Sequence, residues 1–297
     1  MEDRQTERHA PAASFENGWW QSEDGLRLHF RDYPGGGAGR PPILCIPGLT
    51  RNARDFETVA TRLAGEWRLI CPDLRGRGES EAAKDSASYN PLVYLQDIQR
   101  LIATLGLERI VLFGTSLGGL VGMFLATVAK ERLAGILLND VGPQLETKGL
   151  EHIRAYVGRP QSWPTWAHAA RALCEAQKER YPRWSFEDWL VFAKRVCRLT
   201  AQGRIVFDYD MRIAEPLQQP APAVDLWPAF RALHGIPALL VHGALSDLLS
   251  HAAVEKMRAD NRDLDVATVP DVGHAPTLEE PEAEAGIDRL LARISKG

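Results

Sequence analysis

The chain has 297 residues, 45% of them hydrophobic and 25% charged, with a formal net charge of -4. That size suits one sizeable core with an inserted subdomain, and the composition is that of an ordinary globular protein without low-complexity tracts. The mildly acidic balance gives no electrostatic reason to expect nucleic acid or an anionic membrane as partner, and no apolar run approaches the roughly 20 residues of a membrane span. The opening stretch MEDRQTERHAPAAS is polar and lacks the apolar core of a signal peptide, and its first dozen residues are expected to be frayed. Of the four cysteines, Cys45 and Cys71 fall in apolar strand-like runs, and Cys174 and Cys197 in helical-looking segments without metal-type spacing. Buried free thiols in the reducing cytoplasm are the expectation.

Along the chain, Trp19-Trp20 and Leu26-Arg27-Leu28-His29-Phe30 alternate about Glu23-Asp24-Gly25 and predict an N-terminal hairpin. Pro34 to Gly39 reads as a mobile surface loop. Ile43-Leu44-Cys45-Ile46 is a wholly apolar strand running into Pro47-Gly48-Leu49, and Leu69-Ile70-Cys71 is another, ending at Pro72-Asp73. Asn90-Pro91 opens a helix, with asparagine as cap and proline in the first turn, whose apolar face carries Val93, Leu95, Ile98, Leu101, Ile102 and Leu105. Strands follow at 110–113 and 135–138. From about Pro143 to His234 strand-like runs thin out, and tryptophans and helical spacings take over. There Ser185 and Asp188 form a capping-box pattern ahead of Trp189, Phe192, Val196 and Leu199. The alternation then returns, with strands at 238–241 and 266–269 and helices over Ser250–Asp260 and Pro281–Ile294.

Short apolar strands alternating with helices predict an α/β fold, a mostly parallel sheet with helices on both faces. The middle third reads as a helical cap inserted between two core strands. The expected division is a core of residues 1–142 and 235–297 with a cap or lid of 143–234.

The strand at 110–113 leads straight into Gly114-Thr115-Ser116-Leu117-Gly118 and a long apolar helix, a G-x-S-x-G between strand and helix. A serine on so sharp a turn needs small residues two positions to either side. The turn puts its hydroxyl over a helix N-terminus, where free N–H groups and the helix dipole stabilise an oxyanion. Four blocks in this order resemble the α/β-hydrolase fold family over nearly the whole chain. They are Ile46-Pro47-Gly48-Leu49-Thr50, Asp73 to Ser80, the Ser116 elbow, and Gly243-Ala244-Leu245-Ser246-Asp247 followed by Gly273-His274-Ala275-Pro276.

The resemblance implies that Ser116 is the nucleophile, His274 the general base and Asp247 the acid, in the family's order. Asp140, beyond the strand ending at Leu138, stands where some relatives carry their acid; Asp247 is favoured on its place in the chain, leaving Asp140 to anchor the start of the insertion. The backbone N–H groups of Leu49 and Leu117 are expected to form the oxyanion hole. Of the eight histidines, His242 is the nearest rival to His274, but it ends a strand and reads as structural. Arg51, Asn52 and Arg54 read as a solvated loop rather than a carboxylate clamp, and Asp73 to Ser80 as a structural turn in which Gly76 and Gly78 supply special backbone angles. No Walker-type or dinucleotide glycine loop and no metal-spaced histidine pair occurs, so no cofactor or metal is expected.

The implied chemistry is acyl transfer to water through an acyl-enzyme, on a small to medium ester, thioester or lactone. Serine at 116 argues against the carboxylate-nucleophile dehalogenases and epoxide hydrolases. The lack of tryptophan after His274 argues against carbon–carbon bond hydrolases, and Leu117 against proline iminopeptidases. Perhydrolase or haloperoxidase-type chemistry and a slow-turnover ligand receptor use the same residues and stay open. Trp163, Trp166, Tyr181, Trp184, Phe186, Trp189 and Phe192 are expected mainly to build the cap's own core, with some facing an apolar pocket. A small-molecule substrate is the expected partner, with no nucleic acid or membrane; a homo-oligomer is compatible with the sequence.

Overall fold

The computed structural model describes residues 13–37, 39–219 and 224–295. The first dozen, expected to be frayed, lie outside the described residues, as does Ala38 in the glycine-rich loop. In chain order, β1 (Glu16–Gln21) and β2 (Arg27–Tyr33) form the N-terminal hairpin. Then come β3 (Ile43–Ile46), α1 (Glu57–Leu63), β4 (Leu69–Pro72), α2 (Pro91–Thr104), β5 (Ile110–Thr115), α3 (Leu117–Ala129) and β6 (Leu133–Asn139). After α4 (Thr147–Tyr156) come β7 (Ser162–Trp163), α5 (Trp166–Gln177), α6 (Phe186–Val196), β8 (Cys197–Leu199), β9 (Ile205–Phe207), α7 (Glu215–Gln218) and α8 (Trp227–Arg231). The chain closes with β10 (Ala238–Gly243), α9 (His251–Asp260), β11 (Leu264–Val269) and α10 (Pro281–Ile294).

Eight strands form one sheet in the order β1-β2-β4-β3-β5-β6-β10-β11. Only the pairs β1/β2 and β2/β4 are antiparallel. The central strands β3, β5, β6 and β10 are buried at every residue, as covering by helices on both faces requires. Their alternate side chains separate into two cores. Leu44, Ile46, Leu112, Ile136, Leu138 and Leu240 pack with α2, α3 and α9. Ile43, Cys45, Val111, Phe113, Leu137 and Leu239 pack with α1 and α10. An unbroken apolar run thus serves two faces because strand side chains alternate. Asn90 caps α2 by accepting from the N–H groups of Leu92 and Val93, with Pro91 in the first turn. Among the described residues no helix is long and apolar enough to cross a membrane.

The run between β6 and β10 differs in detail from its expected all-helical character. Its strands β7, β9 and β8 make a small antiparallel sheet. The Ser185–Asp188 capping box opens α6, but the helix stops at Val196. Leu199, expected on the helical face, pairs with Ile205 in β8 and is exposed. The Thr200–Gly203 turn, with Gly203 at φ 71°, folds β8 back on β9. Apolar residues of this run join both cores: Val157, Tyr209 and Ile213 the one, Leu173, Trp189 and Phe192 the other. The glycine-rich loop is anchored at its start, where Gly35 bridges to Gly65. Cys45, Cys71, Cys174 and Cys197 are all free thiols; Cys197 lies in β8, not in a helix.

Candidate active site

The elbow follows from crowding. Ser116 sits between β5 and α3 at φ 50°, the left-handed region, and its N–H donates to Asn139 O on β6 at 3.0 Å. A Cβ on Gly114 would stand 2.4 Å from Gly119 N, and one on Gly118 2.0 Å from Ile46 O. Strand, helix and neighbouring strand therefore approach closely only because both positions are glycine. Leu117, the first residue of α3, carries an N–H with no intrahelical acceptor. Leu49 lies in the turn just beyond β3, the strand beside β5. Arg77 holds that turn: its Nε donates to Leu49 O at 2.9 Å, while Nη1 reaches Arg75 O and Nη2 the Tyr94 hydroxyl. Arg77 is fully buried.

Ser116 Oγ lies 3.0 Å from His274 Nε2, and His274 Nδ1 lies 2.8 Å from Asp140 Oδ2. The carboxylate accepts from Nδ1–H, which leaves Nε2 to accept from the serine hydroxyl. The acid beside His274 is therefore Asp140, and the expectation of Asp247 is corrected. Asp140 is wholly buried, at φ 52° just past β6, with its N–H on Val241 O at 2.8 Å. Its oxygens are saturated. Oδ1 accepts from His242 Nδ1 and from Gly243 N, both at 3.0 Å; Oδ2 accepts from the Ser246 hydroxyl at 2.6 Å as well as from His274. Burial alone pushes this carboxyl up, but the bonds from His242, His274 and Ser246 outweigh it and hold it below the ordinary carboxylate range.

Asp247 faces the other way. Its Oδ2 accepts from His152 Nδ1 of α4 at 2.5 Å and from Arg180 Nη2 at 3.2 Å. Burial pushes Asp247 up, and the His152 and Arg180 bonds bring it below its ordinary value. Both acids follow neighbouring parallel strands, with Val241 opposite Asn139, so the two chain positions compete for one place. Ser246 breaks the tie. Its hydroxyl donates to Asp140 and accepts from Leu248 N and Leu249 N, a turn that leaves the next residue, Asp247, directed at α4.

The loop carrying His274 is stitched to the 143–234 run on both sides. Gly273 N donates to Arg180 O at 2.7 Å, and the Tyr181 hydroxyl donates to Ala275 O at 2.9 Å. Burial pushes the Tyr181 hydroxyl well up, keeping it a proton donor. Tyr181 stacks on Trp184 with centroids 4.0 Å apart, and Trp189 and Phe192 close the cluster, which is continuous with the core on the α1 and α10 face of the sheet rather than a separate core of the cap. Trp163 packs edge-on against Phe207, and Phe186 is exposed.

The loop after β3 is packed rather than solvated, a second correction. Asn52 is buried and donates to Arg195 O and Asp208; Arg54 pairs with Asp208 at 2.6 Å; Arg51 pairs with Asp55 and lies over the Phe192 ring at 4.4 Å. The Asp73 to Ser80 turn has Gly76 at φ 73° and Gly78 at φ 52°, as expected. Arg77 within it was not singled out from sequence, because its part in holding Leu49 depends on a contact between distant loops. A cavity of about 20 Å³ behind Thr115, lined also by Arg51, Asn139 and Tyr181, is water-sized. A larger one, about 400 Å³, opens beside β1 and β2, lined by Phe15, Trp19, His29 and Arg31. Its polar groups are already engaged: His29 by Asp73 and Asn17, Arg31 by Glu57.

A serine, a histidine and a buried carboxylate in hydrogen-bonded series, beside a helix N-terminus at the C-terminal edge of a parallel sheet, define a hydrolase-type site. Residues 43–286 match the alpha/beta hydrolase family, and the chain belongs to that family. An α/β hydrolase from Novosphingobium aromaticivorans DSM 12444 superposes with a TM-score of 0.91 at 53% identity, over 96% of this chain and 100% of that one. A 3-hydroxybutyrate-oligomer hydrolase of Cupriavidus necator is 39% identical over 249 residues, 80% of this chain and 84% of the relative. A 2-(acetamidomethylene)succinate hydrolase of Mesorhizobium japonicum is 29% identical over 242 residues, 82% and 84% of the two chains.

Proposed function

We propose that this chain is a serine hydrolase that cleaves a small to medium ester through an acyl-enzyme, with Ser116, His274 and Asp140 as its triad. The observation that carries the reading is the unbroken series Ser116 Oγ–His274 Nε2 at 3.0 Å and His274 Nδ1–Asp140 Oδ2 at 2.8 Å. His274 takes the hydroxyl proton as Ser116 Oγ attacks the carbonyl carbon. Asp140 holds the Nδ1–H tautomer and offsets the charge of the imidazolium that forms. The N–H groups of Leu117 and Leu49 receive the oxyanion. Collapse expels the alcohol, which takes its proton from His274. A water deprotonated by His274 then releases the acid and regenerates Ser116.

A short hydroxyacid ester is the substrate class we put first, because the Cupriavidus relative is named for hydrolysing 3-hydroxybutyrate oligomers. Half-buried Leu117 and Leu120, in the first turn of α3 next to Ser116, supply apolar surface that suits a short acyl group. Residues 143–234 act as a cap that governs selectivity and supports the His274 loop.

The test is a fluorophosphonate probe and a panel of esters, 3-hydroxybutyrate dimer and trimer among them. Wild type should take up one probe group and turn over the hydroxyacid esters; Ser116→Ala should lose labelling, and its turnover should fall to a residual enhancement of roughly 10³–10⁴ over water. Labelling that persists in Ser116→Ala would overturn the proposal.

A further inference from the structure

We propose that His242 is a positioning residue of this site, holding one oxygen of Asp140 so that the other orients His274. The inference rests on Ser116, His274 and Asp140 acting as the triad. His242 breaks an otherwise apolar strand: Ala238 to Val241 are all core residues, and the next position is an imidazole with its side chain only 1% exposed. A histidine there requires a polar partner, and the register supplies it. Val241 stands opposite Asn139, and Asp140 N bonds back to Val241 O, which sets His242 against the Asp140 carboxylate.

The carboxylate is held as two pairs. His242 Nδ1 and Gly243 N, both from β10, fix Oδ1 at 3.0 Å; Ser246 and His274 share Oδ2. The pair on Oδ1 sets the plane of the carboxylate, and that plane aims Oδ2 at His274 Nδ1. Gly243 N cannot set it alone, because a single bond leaves the group free to rotate about it. The His242–Asp140 bond uses the Nδ1–H form of His242. Its Nε2 is buried with no partner among the described residues, and the ring meets His251 edge to face at 4.9 Å. His242 therefore makes its one polar contact through Nδ1, with Asp140. The groups facing Asp140 are His242, Gly243 N and Ser246 from β10 and its loop, and His274 from the loop after β11.

The experiment is a double-mutant cycle on the full chain with the ester panel, read as kcat, KM, pH profile and melting temperature. His242→Leu keeps the bulk but removes the donor, and should lower kcat by about 10- to 100-fold with KM little changed, the range for one charge-assisted hydrogen bond. It should also move the acid limb of kcat/KM to higher pH, since a carboxylate with one donor fewer attracts the His274 imidazolium more strongly. His242→Asn, whose amide nitrogen falls near the Nδ1 place, should recover most of kcat and the original acid limb. In an Asp140→Asn background His242→Leu should add no further loss. A folded His242→Leu with normal kcat, or a loss that is fully additive with Asp140→Asn, overturns the proposal. Should His242→Leu fail to fold, His242→Asn against His242→Gln decides, since only the former places a donor at the Nδ1 position; equal kcat in the two overturns it. An Asp140→Asn enzyme with wild-type turnover would instead overturn the triad on which the proposal rests.

Discussion

Asp140 directly follows β6 and Asp247 lies in the loop after the neighbouring parallel strand β10, and the two have opposite surroundings. Asp140 is fully buried and encircled by donors from β10, its loop and His274. Asp247 is partly exposed and serves as the anchor of α4 and Arg180. Both are held ionised below their ordinary range, so charge state does not distinguish them. Direction does: one carboxylate is aimed at His274 beside Ser116, the other at His152 and Arg180. A position in the chain order makes an acid available, and the local hydrogen-bond shell decides what it acts on.

The sharpest way to break this comparison is to neutralise each acid in turn. Asp140→Asn should lower kcat by about 10⁴, as when the aspartate of a serine-protease triad becomes asparagine and the histidine takes the wrong tautomer. Asp247→Asn should lower it by no more than about fivefold, the range of a partly exposed ion pair. Steady-state kinetics on the two folded variants decides, and the reverse order would restore Asp247 as the triad acid.

Ser246 tests the residue that separates the two acids. Ser246→Ala removes the 2.6 Å bond to Asp140 and the acceptor of Leu248 N and Leu249 N. We expect about a tenfold loss in kcat and about 1–2 kcal/mol of stability, measured by turnover and urea midpoint. An unchanged kcat would mean that Ser246 shapes the loop without serving Asp140.

Tyr181→Phe probes the support that the 143–234 run gives the His274 loop. Loss of its bond to Ala275 O should cost about 1 kcal/mol in stability and about threefold in kcat, with the ratio of long to short acyl esters little altered. A large change in that ratio with kcat intact would place Tyr181 against substrate instead.

The smallest effect expected is a pH dependence of stability. The folded protein holds Asp247 below its ordinary value of 3.8, so as pH falls the unfolded chain takes up the proton first. Its stabilisation is complete above that value and is lost as pH drops through the lower folded one. Wild type and Asp247→Asn should therefore differ in melting temperature by a small margin at neutral pH, the pair being partly exposed, and converge below about pH 4. Curves that stay parallel into acid would show that Asp247 anchors nothing through its charge.

Much of this was legible beforehand where a requirement is local. The all-apolar runs at 43–46, 110–113 and 238–241 demanded strands covered on both faces, Asn90-Pro91 demanded a helix start, and Ser185 with Asp188 closed its capping box. What escaped is what depends on contacts between distant segments: the end of α6 before Leu199, the packing of Arg54 on Asp208, and the grip of Arg77 on Leu49. Each involves a residue whose own neighbours in sequence would suit a surface position equally well.

By itself the sequence determined the elbow: only glycine fits at 114 and 118, where strand, helix and Ile46 nearly touch, and that crowding is fixed within a few residues of Ser116. The choice of acid was decided only in the tertiary structure. Two carboxylates follow neighbouring strands, and which one meets His274 depends on the φ of Asp140, the donors of His242, Gly243 and Ser246, and the claim of His152 and Arg180 on Asp247. The partners of Asp140 come from β10 and its loop and those of Asp247 from α4 and the loop after α5, and they meet only in the folded protein, because hydrogen bonds act over about 3 Å and carry no mark in the order of residues.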